Sequence, residues 1–427
     1  MFKRILAIAA IFVCTALAWF ILAGTIQYRS DSFRSSLESR VASSWGTPQA
    51  QCPPAATYAV VTEVPDAAHK PVRSVSRVAL PLQQSRVNVR LDLEHRQKGL
   101  LWYSTYAVAY SGLYTFRNTS GQDQMVTFIL PFPAARAVYD DLEFTVDGKP
   151  APLANASSAA TALLRIGADQ DAVVRVGYRS QGLGSWHYRF GGEVTQVHDF
   201  VLKMTTNFRD IDFPENTLSP TQKRATAGGW ELTWSYKNLV SGFDIGMTMP
   251  EKLQPGPLAG QISVFAPVSL LFFFFLMFII TTMRGIELHP MNYFFLACAF
   301  FSFHLLLAYL VDRISIHAAF AICSAVSIFL VISYLRLVVG MRFAAVEAGL
   351  AQLIYLVLFS YAFFWKGFTG LAITIGSILT LFLVMQMTGR IRWAEKFARP
   401  APPGPPPGYP PAPPPGYPPA PPSPYGR

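Results

Sequence analysis

Ser185 and His187 stand close together in the chain, and His198 directly precedes Asp199. These are the residue types of a Ser/His/Asp hydrolase, in which a histidine takes the serine proton and a carboxylate orients the histidine. The surrounding Gly182-Leu-Gly-Ser-Trp segment lacks the strand–elbow–helix pattern that would present such a serine. Ordinary β-loop residues are the leading reading, with a membrane-tethered hydrolase as the rival. His187, His198, Asp210 and Asp212 are metal-ligand types, but their spacing is not diagnostic. No GxSxG, HExxH, Walker loop or dinucleotide fingerprint stands at a usable place. The expectation is therefore no catalytic residue, no metal and no cofactor.

Another set lies in strongly apolar sequence. His304, Glu347 and Gln352 are polar groups within runs long enough to cross a membrane. Ionisable groups at that depth are costly and often line a pathway. His304 is placed mid-run, where it could serve transport or simply bond a neighbouring helix. Glu347 lies near a run's end, within reach of water or Arg342. A transporter or channel using these groups is the second alternative.

The elements that must position all of these follow from hydropathy. One apolar run spans Ile5 to about Ile26, and five more crowd the C-terminal part: Val264–Met283, Asn292–Val311, Ile316–Leu335, Phe343–Phe364 and Thr369–Thr388. Each approximates the length of a spanning helix. The first is too long for a typical signal core and reads as an uncleaved anchor. Lys3, Arg4, Arg284, Arg336, Arg342, Arg390, Arg392, Lys396 and Arg399 fall on one side if the spans alternate. Asp312 with Arg313, and Lys366, fall on the other. The positive-inside bias then predicts cytoplasmic N- and C-termini and an extracytoplasmic domain between the first two spans.

That domain reads as β-rich. Val87, Val89, Leu91 and Leu93 alternate with polar residues, as do Val174, Val176 and Tyr178, and Trp230, Leu232, Trp234 and Tyr236. Leu142, Phe144 and Val146 lead into Asp147-Gly148, a hairpin turn. Half-buried antiparallel strands in a sandwich-like domain follow. Phe33, Leu37 and Val41 recur at helical spacing and predict that the anchor continues outside the membrane until Trp45-Gly46. Pro250, Pro255 and Pro257 read as a stiff linker into the second span, with Pro267 in that span's first turn. Tyr28 and Trp45 are expected at the membrane interface. The predicted fold is a six-span α-helical polytopic membrane protein with a large extracytoplasmic, mostly-β domain. Its parts are 1–27 (anchor), 28–261 (β-rich domain), 262–393 (five-helix bundle) and 394–427 (Pro-rich tail).

Composition agrees. The chain has 427 residues, 52% hydrophobic and only 14% charged, so the apolar excess sits in the spans. Its net charge of +10 suits anionic lipid headgroups; no basic cluster interleaved with aromatics points to nucleic acid. Cys14, Cys298 and Cys323 fall in apolar runs, leaving Cys52 alone in the β-rich domain without an intradomain disulfide partner. The tail repeats Gly408-Tyr-Pro-Pro-Ala-Pro-Pro-Pro at Gly416. It is expected to be extended, disordered and cytoplasmic, and a proline-recognition module could dock at Tyr409 or Tyr417.

Several short motifs carry a resemblance. Arg34-Ser-Ser-Leu-Glu-Ser-Arg-Val-Ala-Ser-Ser-Trp-Gly-Thr-Pro-Gln resembles the post-anchor stretch of the CreD family of inner-membrane cell-envelope integrity proteins. Leu80-Pro81 precedes a strand that ends in Glu94-His-Arg-Gln-Lys-Gly99, which resembles the family's Glu-x-Arg-x-x-Gly element. Leu288-His289-Pro290-Met-Asn-Tyr293 is similar to its lead-in to the third span, and Ile354-Tyr355-Leu, Ile375-Gly376-Ser377 and Met387-Thr388-Gly-Arg390-Ile-Arg-Trp393 to its last two spans. Cys52-Pro53-Pro54, Trp365-Lys366-Gly367 and Val311-Asp312-Arg313 depart from the pattern, and the proline tail lies outside it. The resemblance implies a non-enzymatic inner-membrane protein of the cell envelope, whose partners are envelope proteins or components and membrane lipids. Trp45, Gly46, Glu94, Arg96, Gly99, His289 and Pro290 are its candidate positions. Structural roles (turn geometry, a buried ion pair, a span boundary) stand beside the functional ones.

Overall fold

The computed structural model describes residues 2–65, 71–152, 154–155, 158–191, 195–365 and 367–389. Lys366, the basic residues from Arg390 onward and the Pro-rich tail lie outside them.

Among the described residues, six helices are long and apolar enough to cross a membrane. The first, Phe2–Trp45, is a single helix, so the anchor and its continuation are one rod. Tyr28 and Trp45 therefore stand about 25 Å apart along its axis, and they cannot both lie at one membrane interface. The next, Pro255–Met283, starts earlier than its apolar run. Pro255 occupies the first helical position, where its missing N–H costs nothing, so Pro255 and Pro257 open the helix instead of forming a linker. Pro267 lies in the helix interior rather than the first turn, and leaves the carbonyl of Ser263 without its usual donor. Pro290–Leu310 and Ile316–Val338 follow. The fifth span, Phe343–Phe364, contains π-helical turns at Phe343–Ala348 and Leu353–Leu358. The sixth, Thr369–Thr388, buries only Thr380 and Val384 and presents Leu371, Ile378 and Phe382 outward, as lipid contact requires.

Among the described residues the β domain has three sheets. The largest runs Gln222–Ala225, Trp230–Ser241, Thr195–Thr206, Leu82–Lys98, Leu101–Arg117, Asp171–Leu183, Tyr139–Val146, Lys149–Pro150. The second runs Pro71–Ala79, Ala55–Pro65, Gln124–Pro131, Ala159–Ile166, Ala154–Asn155, and the third Gln49–Gln51, Ser185–Tyr188, Ile245–Thr248. The strands are not all antiparallel. Thr195–Thr206 lies parallel to Leu82–Lys98, and Gln49–Gln51 parallel to Ser185–Tyr188. Such pairs are non-local, so alternation within one strand carries no sign of them. Asp147 and Gly148 form the anticipated two-residue hairpin, both with positive φ.

All three sheets share one core, with Val89 and Phe200 from the large sheet, Phe128 and Ala160 from the second, and Trp186 and Met247 from the third. Burial of such side chains stabilises by roughly 1.5–3 kcal/mol each. The core also holds hydroxyls. Tyr110, Tyr114 and Tyr188 form a hydroxyl chain, and Tyr178 donates to Gln51 Oε1 at 2.6 Å. Burial holds these four phenols well above their usual range, so they stay protonated.

Candidate functional site

The residues singled out at both edges of the β domain meet where it joins the membrane helices. Leu37, Val41, Ala42 and Trp45 share one face of the anchor helix. They pack against Leu101, Tyr103 and Leu183. Gly46 then breaks the helix, with φ +134°. A Cβ there would lie 2.3 Å from the Gln181 carbonyl oxygen, so only glycine lets the chain turn so close to the sheet. The chain continues into Gln49, whose buried amide donates to Ser180 Oγ (2.7 Å) and to the Gln181 carbonyl (2.9 Å).

The long hairpin Leu82–Lys98/Leu101–Arg117 closes through Gly99-Leu100, with Gly99 at φ +63°. Arg96, near its tip, lies with its guanidinium carbon 3.3 Å from the Trp45 ring centre. Arg96 also reaches Glu94 at 3.4 Å, but both side chains are about half exposed. The pair expected to be buried is thus a solvated surface pair, worth little. It is the aromatic face that fixes Arg96, and the two sequence motifs, Trp45-Gly46 and Glu94/Arg96/Gly99, converge on one spot.

The other side of the hairpin grips the lead-in to the second span. Gln254 precedes that helix, and its amide pairs with Trp102 as a neighbouring strand would. The Trp102 N–H donates to Gln254 Oε1 (3.3 Å), and Gln254 Nε2 donates to the Trp102 carbonyl (2.5 Å). Ser104 Oγ donates to the Pro250 carbonyl at 2.6 Å, and His95 Nε2 lies 3.0 Å from the same oxygen. Lys252 Nζ sits 3.8 Å from the Trp102 ring centre. Arg34 on the anchor helix pairs with Glu251 at 2.8 Å. Both membrane crossings are therefore bonded to one hairpin. Sequence reading missed Gln254, Ser104 and His95. The one available signal was a glutamine at the cap position before Pro255-Gly-Pro257.

Within the bundle, His289 caps the third helix, its Nδ1 accepting from the Met291 N–H at 3.2 Å, and Pro290 takes the first helical position. His304 is buried. Its ring meets Trp19 edge-on at 5.6 Å and Phe303 at 4.9 Å, and its Nδ1 lies 3.2 Å from the Phe300 carbonyl. It packs between the first and third spans. Glu347 pairs with Arg284, not Arg342. Arg284 ends the second span and reaches across to the π-helical turn that carries Glu347. Gln352 is fully buried and donates to Ser327 Oγ (2.8 Å), which donates to the Ala299 carbonyl (2.6 Å). At the opposite end, Asp312 pairs with Arg29 at 3.0 Å and ties the third span to the anchor.

His198 and Asp199, two members of the hydrolase constellation, bond to other partners. His198 Nδ1 lies 2.7 Å from Asn238 Oδ1. The Asp199 carboxylate is taken by Gln84 and by both oxygens' bonds to Arg86. These bonds, Gln84 first, hold Asp199 below the usual carboxylate range. Burial holds His187 below the usual imidazole range, and so neutral. Among the described residues no three metal-ligand types cluster.

Residues 262–394 match the family model described as inner membrane protein CreD. The matched residues are those of the membrane bundle, which is thus similar to that of CreD. The CreD match begins within the second span and runs past the sixth, so the β-domain motifs lie outside it. No curated protein matches the chain. Among solved structures, a Legionella pneumophila protein described as nutrient binding is similar at 10% identity and TM-score 0.32, over 53% of this chain and 76% of that one. An M1 zinc metallopeptidase from Deinococcus radiodurans is similar at 8% identity and TM-score 0.26, over 40% of this chain and 42% of that one.

Proposed function

We propose that this CreD-type inner-membrane protein contributes to cell-envelope integrity or to an envelope stress response, without catalysis, by relaying the state of its β domain to its helix bundle. In this reading the β domain is periplasmic and both termini are cytoplasmic. The placement of Lys3, Arg4, Arg284, Arg336 and Arg342 supports that orientation. One observation carries the relay: the hairpin Leu82–Arg117 is bonded to the anchor helix through Arg96 and to the second span through Gln254. An envelope component or partner protein that displaces the hairpin would therefore move both crossings together.

Reporter fusions at the termini and in the β domain test the orientation; reporters placing all three on one side would refute it. The relay is tested by Gln254→Ala in the native host. It should reproduce the envelope-stress sensitivity of a deletion while the protein remains folded and membrane-inserted. Wild-type stress resistance in that variant would reject it. Pull-down of the solubilised full chain identifies the partner.

A further inference from the structure

We propose that the outer face of the second sheet is a dimer interface, closed by a second copy of this chain. Alternate residues of its strands, Val126, Phe128, Ala160 and Ala162 among them, point into the shared core. The residues between them face outward. Two rows cross the sheet in register: Ala79–Thr57–Thr127–Leu163 and Ala55–Ile129–Thr161. Neither row contains a charge. Leu163 is 56% exposed, and Met125, on the same face as Thr127, is 52% exposed. Among the described residues charge enters only at one end, where Arg77 lies opposite Ala59 and Arg165 pairs with Asp123 at 2.9 Å. The outer face of the large sheet gives the contrast. Asn88, Arg90, Arg175, Arg179 and Lys203 are exposed there, as on an ordinary solvated sheet.

A second copy is the occupant this face fits. A two-fold interface sets a patch against itself, and an uncharged patch meets its own copy with no like charges opposed. The direction of the face suits the same partner. Gln124–Pro131 begins beyond Asn118, at the far end of the long hairpin. It runs back to Pro133, whose carbonyl accepts from the Ala50 N–H at 3.0 Å, close to the end of the anchor helix. The sheet therefore runs along the hairpin, which stands on the two membrane crossings, and its outer face looks sideways toward a neighbour in the same bilayer. Roughly a dozen outward positions at about 33 Å2 each make about 400 Å2 of flat face. That is about half the roughly 800 Å2 per partner of a standard interface, too little to hold a freely diffusing partner tightly. Two copies confined to one membrane need less, because tethering raises their effective concentration. The inference requires neither the orientation nor the relay proposed above.

The test uses the full chain in its native membrane, with two differently tagged copies expressed together. The photo-cross-linking residue p-benzoylphenylalanine replaces Leu163 in one copy. A product carrying both tags is expected, with the cross-link in Ala55–Pro65, Pro71–Ala79 or Gln124–Pro131 of the second copy. The same residue in place of Asn88, on the large sheet, should give no such product. Thr127→Asp brings two carboxylates together near the two-fold axis and should lower the yield at least about tenfold. Ala55→Asp, at an exposed position, should act likewise. In detergent, where the copies are dispersed, both variants should keep the parent thermal midpoint, because an outward side chain of a lone domain meets only solvent. Cross-links from position 163 to other proteins alone would overturn the proposal, and so would a doubly tagged yield no higher than from position 88. Undiminished yield in both aspartate variants would overturn it as well.

Discussion

Arg96 lies over the face of Trp45, with the guanidinium carbon 3.3 Å from the ring centre. The last residue of a helix that begins in the membrane is thereby fixed to the tip region of the domain's longest hairpin. The indole N–H of Trp45 is buried with no acceptor, so its role is packing and ring charge. Arg96→Ala is expected to cost about 0.5–1 kcal/mol, the value of an exposed cation–π contact. Trp45→Ala should cost more, about 2–3 kcal/mol, because Leu37, Leu101 and Tyr103 lose a neighbour. A double-mutant cycle on denaturant unfolding checks the pair. Additive losses would mean that the two residues are not coupled.

Gly46 should tolerate no side chain. Its φ of +134° is one that L residues rarely adopt, and a Cβ would strike the Gln181 backbone at 2.3 Å. Gly46→Ala is expected to destabilise by at least about 2 kcal/mol. Lower yield of folded protein and a lowered thermal midpoint are the readout. Gly99→Ala offers the comparison. It shares the positive φ but has open space around it, and so should cost about 1 kcal/mol.

Why these glycines were legible while Gln254 was not is a matter of distance along the chain. Trp45-Gly46 and Asp147-Gly148 announce themselves because helix stops and hairpin turns are local events. The six spans were legible for the same reason, each being one uninterrupted apolar run. Glu347 illustrates the failure. Sequence proximity suggested Arg342, but the helix carries Glu347 toward Arg284 on another span. The parallel pairing of Thr195–Thr206, the Arg96–Trp45 contact and the Gln254–Trp102 clamp all join segments far apart in sequence. No periodicity within either segment encodes such a meeting.

Gln254→Ala should loosen the hairpin locally without unfolding the domain. Both backbone groups of Trp102 lose their partner, and each lost bond is worth about 1 kcal/mol. Amide exchange at Trp102 and its neighbours should rise roughly tenfold or more, while exchange in the Asp171–Leu183 strand stays unchanged. An unaltered rate at Trp102 would show that the clamp does not hold in solution.

The Asp199 clamp predicts an acid-sensitive edge. Gln84 and Arg86 hold the Asp199 carboxyl below its usual range. A carboxylate whose pKa is lowered by folding adds stability that is fully present above the unfolded value, near 4, and is lost as pH falls through the folded one. Asp199→Asn should therefore lower stability at neutral pH and flatten its decline below about pH 4. Asparagine also tolerates the left-handed backbone at this position. Thermal midpoints between pH 3 and 7 for both proteins give the comparison, and parallel curves would remove Asp199 from the acid response.

In the bundle, Gln352 is the residue whose loss should be felt on three spans. Its amide donates to Ser327 on the fourth span, and Ser327 donates to the Ala299 carbonyl on the third. Interhelical bonds of this kind contribute about 0.6–2 kcal/mol in membranes. Gln352→Leu conserves much of the volume and removes the donor, and Ser327 keeps its own bond to Ala299. The expected loss is therefore at the low end, about 0.5–1 kcal/mol. Gln352 Oε1 is itself buried without a donor, which offsets part of the cost. Ser327→Ala should cost more, because it breaks the chain in the middle and strands the Gln352 amide. Unfolding in mixed micelles ranks the two variants. A larger loss for Gln352→Leu than for Ser327→Ala would contradict the hydrogen-bond order read from the structure.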